Sequence, residues 1–211
     1  MNSNINAGET NKVRRRYQRI SGIYDLMESL IEKQFGIWRS CFWPQVKGPQ
    51  VLELGVGTGK NIPYYPPKLK ITAVDFAPGM LERARERASE MKVDVDLRIG
   101  DVQSLEFADN TFDSVVGTFV FCTVPDPILG LKETLRVVKP GGQILLMEHV
   151  RSEKPIQGAV MDLISPLVML AIGTHINRQT VKNVIKAGIK IINVEDLDKG
   201  KVFKIIHAIK E

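Results

Sequence analysis

Three glycines alternate directly after a short apolar run, where VLEL at 51–54 is followed by Gly55, Gly57 and Gly59. Glycine lets a backbone approach a ligand closely, because it has no side chain to block the approach. A turn that follows the first strand of an α/β sheet and opens a helix is where such folds bind ligands. The spacing therefore predicts a nucleotide-type cofactor site. A tight strand-to-helix turn without a ligand is the alternative.

The glycine spacing also discriminates between cofactors. The dinucleotide motif GxGxxG requires a glycine where Lys60 stands, and the P-loop requires Ser or Thr where Asn61 stands. Because neither phosphate-binding motif fits, the loop suits a cofactor that has no phosphate at this point. S-adenosylmethionine is such a molecule.

Two acidic residues follow the next two apolar segments. Asp75 ends ITAVD at 71–75, where a carboxylate can accept hydrogen bonds from both ribose hydroxyls. Asp101 follows VDLRIG at 95–100, where a carboxylate can accept a hydrogen bond from an amine such as adenine N6. Each alone could equally be a helix cap or a turn residue. Together with the glycine loop, in successive loops at one sheet edge, they indicate a site for one adenosine group.

The elements that must position these residues alternate along the chain. Five short apolar segments indicate strands separated by helices, at 51–54, 71–75, 95–100, 112–121 and 143–150. This alternation predicts a parallel sheet covered by helices on both faces. Two further strand segments, 189–197 and 201–210, are separated by only three residues. So short a connection requires a hairpin, so the last pair is predicted to be antiparallel.

Two segments are expected to flank or interrupt this sheet. Residues 1–48 carry a helical, aromatic-rich pattern, and we predict a helical lid distinct from the domain over 49–211. The lid contains a basic run, Arg14, Arg15, Arg16 and Arg19. The apolar segment 155–177 is predicted to be a substrate cover, with a buried core helix as the alternative. Its composition favours a lipophilic acceptor or contact with a membrane.

Composition narrows the class of protein. With 211 residues, 44% of them hydrophobic, the chain can build one sizeable core. The formal charge of +5 is low for a dedicated nucleic-acid binder, and TFVFCTV at 118–124 lacks an N-P-P-Y motif for a flipped base. No nucleic-acid partner is therefore expected. The two cysteines, Cys41 and Cys122, form neither a disulfide framework nor a CxxC zinc pattern, so no metal site is predicted.

The expected location is cytoplasmic. The first twelve residues lack the apolar core of a signal peptide. The most apolar stretch, 156–173, is interrupted by Asp162, Ser165 and Pro166, which argues against a spanning helix.

The motifs in order resemble class I S-adenosylmethionine-dependent methyltransferases. The resemblance covers about 51–150, through VLELGVGTGKNIPYYPP, ITAVDFAPGMLERAR, GDVQSLEFADNTFDSVVGTFVF and LKETLRVVKPGGQILLMEHV. It implies an α/β, Rossmann-like sheet of seven mostly parallel strands with an antiparallel last strand and helices on both faces, which agrees with the predicted hairpin. One departure is Val56, where relatives often have Cys, Ala or Ser.

The resemblance also implies roles for individual residues around S-adenosylmethionine. Those that would border its methionine and ribose part are Glu53, Gly55, Gly57 and Gly59, with Asp75 on the ribose. Those that would surround the adenine are Phe76, Met80, Asp101 and Val102. Thr118 and Phe119 would lie beside the sulfonium.

The N-terminal stretch RRRYQRISGIYDLMES resembles the first helix of ubiquinone- and menaquinone-type C-methyltransferases and of bacterial phospholipid N-methyltransferases. There the helix and its YD pair cover the cofactor. The resemblance implies that Tyr17 contacts the cofactor and makes Tyr24 a catalytic candidate; core packing is the alternative for Tyr17. The basic run with apolar neighbours also suits the surface of an anionic membrane, with a solvated charged face as the alternative.

Other segments point to a different acceptor. VFCTVPDP, MEHVRS, THINRQT and the YPP after the glycine loop resemble the methyltransferase-like thiol S-methyltransferases. His149, beside Glu148 at the end of the fifth strand, is a candidate base for an acceptor that must lose a proton, or else a packed histidine. Cys122 is expected in a pocket wall, because methyl transfer needs no covalent intermediate.

The expected function is therefore methyl transfer to a small lipophilic acceptor. A phospholipid head-group amine is favoured because of the basic N-terminal helix. A thiol, a quinone ring carbon and a non-catalytic cofactor-binding module stay open as alternatives.

Overall fold

The computed structural model describes residues 7–20 and 34–211, and it contains one seven-stranded sheet. The strands are β1 Gln50–Leu54, β2 Lys70–Asp75, β3 Asp96–Ile99, β4 Phe112–Thr118, β5 Val138–His149, β6 Lys190–Asp196 and β7 Phe203–Ile209. Their order across the sheet is β3-β2-β1-β4-β5-β7-β6. β7 runs antiparallel to both of its neighbours, and the other neighbouring pairs are parallel. The predicted fold class is confirmed.

Helices connect the strands. They are α1 Ala7–Ile20, α2 over residues 34–42, α3 Pro78–Met91, α4 Pro127–Val137, α5 Pro155–Ile172 and α6 Thr180–Lys186. α3, α4 and α5 begin with proline, which has no N–H to leave unpaired in the first turn. The side chain of Asp126 caps α4 by accepting hydrogen bonds from the Ile128 and Leu129 amides, at 3.0 Å each.

The core has one layer on each face of the sheet. Alternation of side chains along the strands sends Leu52 and Leu146 to the layer under α4 and α6, and Val51 and Leu145 to the layer under α2 and α3. Burial on both faces explains why the central strands are mostly apolar rather than alternating.

The predicted boundary at residue 48 does not separate two packing units. Phe42 and Trp43 are fully buried against Val51, Ile71 and other residues of the second core layer. Residues 34–46 are thus part of the sheet domain, because their aromatic side chains cover a sheet face that would otherwise be exposed.

Some predicted boundaries shift. β5 begins at Val138, five residues before the predicted start, and α1 begins at Ala7. A short 3-10 turn, Ile62–Tyr64, follows the glycine loop. Within the described ranges, no helix has both the length and the apolar character needed to cross a membrane.

Candidate active site

A cleft opens at the carboxyl ends of β1, β2 and β4. This is the point where the strand order reverses, between β1 and β4, and open α/β sheets bind ligands there. The cleft holds about 920 Å³ of empty space, including its part open to solvent. Most predicted cofactor residues line it: Tyr17, Gly55, Gly57, Asp75, Phe76, Met80, Asp101, Val102, Thr118 and Phe119.

The three glycines have a positive φ but different surroundings. A Cβ on Gly59 would lie 2.6 Å from Ile62 Cδ1 and 3.1 Å from the Ala84 Cα, so this glycine allows the loop to pack against α3. A Cβ on Gly55 would lie 2.8 Å from Val120 Cγ2. A Cβ on Gly57 would meet nothing within 4 Å, although Gly57 lines the cleft. The space beside Gly57 is therefore where a ligand can approach the backbone.

Gly59 is not among the cleft residues, contrary to the expectation that it borders the cofactor. Its role in the structure is close packing between the loop and α3. The contacts with Ile62 and Ala84 account for a glycine at this position.

Asp75 joins the glycine loop to the end of β2. Its carboxylate accepts hydrogen bonds from the Gly57 amide at 3.0 Å and from the Ala77 amide at 2.9 Å. The side chain is buried, and this burial raises its pKa to about 6 against the opposing effect of the amide donors. A carboxylate on the loop amide disfavours a phosphate there, and its remaining lone pairs suit hydroxyl donors. This arrangement fits the ribose of S-adenosylmethionine.

The end of the cleft where adenine is predicted to bind is built from the loops after β2 and β3. Phe76, Met80 and Val102 supply apolar walls, and Asp101 supplies a carboxylate. Asp101 Oδ1 accepts a hydrogen bond from the Gln103 amide at 2.8 Å, and Gln103 Nε2 lies within 3.2 Å of both Asp101 oxygens. Asp101 is thus fixed in position while it faces the cleft.

Glu53 is buried behind the cleft rather than in its wall. It accepts hydrogen bonds from Asn61 Nδ2, at 2.5 Å, and from the Tyr65 hydroxyl. Burial raises its pKa to about 7. Asn61 does line the cleft and also donates to Thr118 Oγ1 at 2.8 Å. Glu53 therefore acts through Asn61, which links the glycine loop to the end of β4.

Several cleft residues were missed by the sequence reasoning, among them the polar residues Thr10, Arg39, Asn61 and Gln103. Arg39 is a buried cation in the cleft wall, and its charge lowers the pKa of Glu53. A buried cation suits the carboxylate at the methionine end of the cofactor. No spacing rule identifies Arg39, because it reaches the cleft from α2 through the packing of that helix on the sheet.

α1 covers part of the cleft. It contributes Thr10 and Tyr17 to the lining, and the Tyr17 ring lies 6.2 Å from that of Phe76. Gln103 Nε2 donates to Thr10 Oγ1 at 3.2 Å, and the Gly79 amide donates to Gln18 Oε1 at 2.8 Å. Tyr17 therefore lies in the wall of the cleft, and its contact with the cofactor stays a prediction.

The loop after β4 forms the other rim. Phe119 has a left-handed backbone, φ +58°, and its ring lies 4.7 Å from that of Phe35. Buried Glu148 holds this loop, because its Oε1 accepts from the amides of Val120, at 2.9 Å, and Phe121, at 3.1 Å. Burial raises the pKa of Glu148 to about 7. Its contacts indicate that it positions Phe119 and Val120.

The structure does not bring His149 into the cleft. Its ring packs against Phe203 at 5.0 Å, and Phe203 in turn packs against Phe119 at 6.0 Å. His149 thus lies behind Phe203, and burial lowers its pKa. Buried Cys122 is not a cleft-lining residue either, and Tyr24 lies outside the described residues.

We expect the affinity for S-adenosylmethionine to rise with pH through about 6. Ribose hydroxyls donate to the charged form of Asp75, so protonation of this carboxyl opposes binding, and binding lowers its pKa. Below pH 6 the dissociation constant should increase by up to about tenfold per pH unit, as for any single coupled proton. Calorimetric titration between pH 5 and 8 measures this directly.

The control is Asp75→Asn, which cannot titrate. Its affinity should be lower throughout and should lack the step near pH 6. A step that persists in Asp75→Asn would assign the titration to another group, such as Glu53 with its pKa of about 7.

Comparisons with known proteins agree with this site. A family model described as a methyltransferase domain matches residues 52–146. Phosphatidylethanolamine N-methyltransferase of Cereibacter sphaeroides is 38% identical over 124 residues, which are 58% of this chain and 61% of that enzyme's length. Demethylmenaquinone methyltransferase of Staphylococcus aureus is 32% identical over 179 residues, covering 80% of this chain and 73% of that enzyme.

A solved structure shares the fold. It is described as an S-adenosylmethionine-dependent methyltransferase, possible histamine N-methyltransferase, from Thermotoga maritima, and it superposes with a TM-score of 0.71 at 20% identity. The superposition covers 94% of this chain and all of the other. At this identity the likeness concerns the fold alone.

Proposed function

Since this chain belongs to the family of S-adenosylmethionine-dependent methyltransferases, we propose that it transfers the methyl group to a small lipophilic acceptor, namely the head-group amine of a phospholipid. The observation that carries the proposal is the character of the acceptor end of the cleft. Its walls, from the loop after β4, are mainly apolar and contain Phe119, Val120, Val124 and Pro125.

S-adenosylmethionine, when bound, supplies an electrophilic methyl group on a sulfonium sulfur for in-line transfer to a nucleophile. The chain supplies binding and alignment. Asp75 would hold the ribose, Asp101 the adenine amine, and Arg39 the methionine carboxylate. Phe119 and Thr118 would border the reacting end, where apolar walls exclude water.

The cleft favours an acceptor that needs no strong base. Among the described residues lining the cleft, the only carboxylates are Asp75 and Asp101, and histidine is absent. Both carboxylates lie on the cofactor side, where they are engaged by backbone amides. An amine in its neutral form attacks without a base, whereas a ring carbon must lose a proton to one. The arrangement therefore supports an amine over a quinone ring.

A lipid amine is preferred over a soluble amine for two reasons. The relative with 38% identity is named for a phosphatidylethanolamine acceptor. In addition, exposed Arg14 and Arg15 lie on α1, the helix that covers the cleft, and they suit the anionic surface where such an acceptor resides. A thiol is the second candidate, supported by an apolar acceptor end that also suits a thiolate.

A transfer assay with methyl-labelled S-adenosylmethionine tests the acceptor. Phosphatidylethanolamine in mixed micelles, a lipophilic thiol and a demethylated quinone are supplied separately at equal concentration. We expect the lipid amine to be labelled at least about tenfold faster than the others, because it combines the base-free chemistry and the fit to the apolar wall with a head-group phosphate that the exposed Arg14 and Arg15 can meet.

The Asp75→Ala variant is the control, because any label that it transfers does not depend on an intact cofactor site. NAD is titrated in parallel, and no binding is expected, because the Gly57 amide is engaged by a carboxylate. Preferential labelling of the thiol would replace the lipid amine by the second candidate, and labelling of the quinone would contradict the base-free interpretation.

A further inference from the structure

α5 carries an apolar stripe on its outer face, formed by Ile156, Val160, Leu163, Leu167 and Leu170. These side chains recur at intervals of four and three residues, so they share one face of the helix. They are 50–83% exposed. The inner face, with Met161 and Ser165, is buried against the domain. A water-soluble surface rarely leaves so long a line of large apolar side chains uncovered.

The stripe lies next to the acceptor end of the cleft. α5 ends at Ile172, and the segment that follows is tied to the cleft rim. The His175 amide donates to the Cys122 carbonyl at 3.0 Å, and Arg178 Nη2 donates to the Val124 carbonyl at 2.9 Å. Val124 is a cleft-lining residue. Whatever α5 binds is therefore held close to the entrance for the acceptor.

Basic residues adjoin the same end of α5. Arg16 on α1 donates to the Met169 carbonyl at 2.8 Å, so α1 is fixed at the last turn of α5. The two preceding residues of α1, Arg14 and Arg15, are exposed. Arg14 and Arg15 themselves line a groove with Pro78 of α3, so the link to α5 is through the helix that carries them. An apolar helix face joined to a helix with exposed arginines has the chemistry of an interfacial membrane element, in which apolar side chains enter the acyl boundary and cations meet anionic head groups.

We propose that the α5 stripe docks the enzyme on an anionic lipid bilayer and positions the cleft mouth at the head groups. A second copy of the chain is the alternative occupant, and the test below distinguishes it from a bilayer. The inference deepens the proposed lipid acceptor and rests on it for its role in catalysis, but docking itself is measured without turnover.

The test compares vesicle binding of four proteins: the wild-type chain, the stripe variant Leu163→Gln/Leu167→Gln/Leu170→Gln, the basic variant Arg14→Gln/Arg15→Gln, and a control. The control, Ile185→Gln/Ile192→Gln, removes apolar side chains that are 61% and 58% exposed on α6 and β6. Vesicles contain phosphatidylglycerol and phosphatidylcholine, or phosphatidylcholine alone. Unchanged affinity for S-adenosylmethionine confirms that each variant is folded.

We expect the stripe variant to bind anionic vesicles at least about a hundredfold more weakly than wild type, because three leucines no longer enter the bilayer. The basic variant should lose about tenfold, and only on anionic vesicles at low salt. The control should bind as wild type does. Equal binding by the stripe variant and wild type would overturn the proposal.

Absence of wild-type binding to anionic vesicles would also overturn the proposal. A wild-type dimer that the leucine substitutions convert to a monomer, measured by sedimentation velocity, would assign the stripe to self-association instead. If the proposed function is wrong but the docking proposal is right, the wild-type chain binds the vesicles and transfers no methyl group to any lipid. If both ideas hold, the stripe variant still methylates detergent-dispersed lipid but not vesicle lipid.

Discussion

Replacing Asp75 with alanine is expected to weaken S-adenosylmethionine binding by tens of fold while the protein stays folded. The carboxylate would accept hydrogen bonds from the ribose, and hydrogen bonds to charged groups contribute about 1.5–3 kcal/mol each. A net loss of ~2–3 kcal/mol corresponds to roughly 30–150-fold in affinity. Asp75 also holds the Gly57 amide, so its removal loosens the loop that the cofactor approaches. Calorimetric titration at pH 8 measures the change.

Two variants make this result specific. Asp75→Asn keeps one carbonyl oxygen and should retain an intermediate affinity. Asp113→Asn is the matched control, because Asp113 also accepts from a backbone amide, that of Gln50 at 2.9 Å, and pairs with Lys139 at 2.6 Å. Asp113 is not a cleft residue, so cofactor affinity should not change. Wild-type affinity in a folded Asp75→Ala protein would remove Asp75 from the cofactor site.

Alanine substitutions at Gly59 and Gly57 should have different effects, the first mainly on stability and the second mainly on cofactor binding. In Gly59→Ala, the new Cβ meets Ile62 and the Ala84 backbone at a φ of +79°, which combines backbone strain with overpacking. These effects together should lower the free energy of unfolding by ~2–4 kcal/mol. In Gly57→Ala, the Cβ enters open space, so only the strain of about 1–2 kcal/mol is expected.

For cofactor affinity the order of the two variants should be reversed, and Gly57→Ala should lose more affinity than Gly59→Ala. The methyl group added in Gly57→Ala occupies cleft space, so the ligand can no longer approach the backbone closely at this point. The affinity for S-adenosylmethionine should therefore fall by about tenfold or more. Gly141→Ala is the control for strain alone, since Gly141 has φ +73° and nothing within 4 Å, at an exposed position near the start of β5.

Thermal unfolding and calorimetry on the three glycine variants give the two readouts. One kcal/mol corresponds to about 2–4 °C in a chain of this size. If Gly57→Ala and Gly141→Ala bind the cofactor equally well, the ligand does not approach the backbone at Gly57. If Gly59→Ala unfolds at the wild-type temperature, the contact with α3 relaxes without cost.

The sequence by itself determined the architecture and the cofactor. Strands that are buried on both faces are apolar however the helices pack against them, so the sequence alone reveals them. A three-residue connection between two strands forces the two strands to be antiparallel. The glycine loop, Asp75 and Asp101 each follow a strand directly. The carboxyl ends of parallel strands meet at one sheet edge, so their order in the chain was enough to bring them together.

Only the tertiary structure decided which residues face the ligand and which support the site. Glu53 belongs to the motif in sequence, but it does not line the cleft and acts on the cleft through Asn61. His149 stands at the expected strand end, yet Phe203 on the antiparallel neighbour β7 packs between it and Phe119. Strand pairing and helix packing fix these orientations across 50 or more residues of chain, and local spacing carries no information about them.

The same limit applies to α2 and α5. Arg39 enters the cleft because the aromatic residues of α2 pack on the sheet, which makes residues 34–46 part of the core instead of a separate lid. The apolar composition of 155–177 was evident, but its division into a buried and an exposed face depends on what α5 packs against. Burial is a property of contacts between distant segments, and that is why the exposed stripe emerged from the fold and not from the sequence.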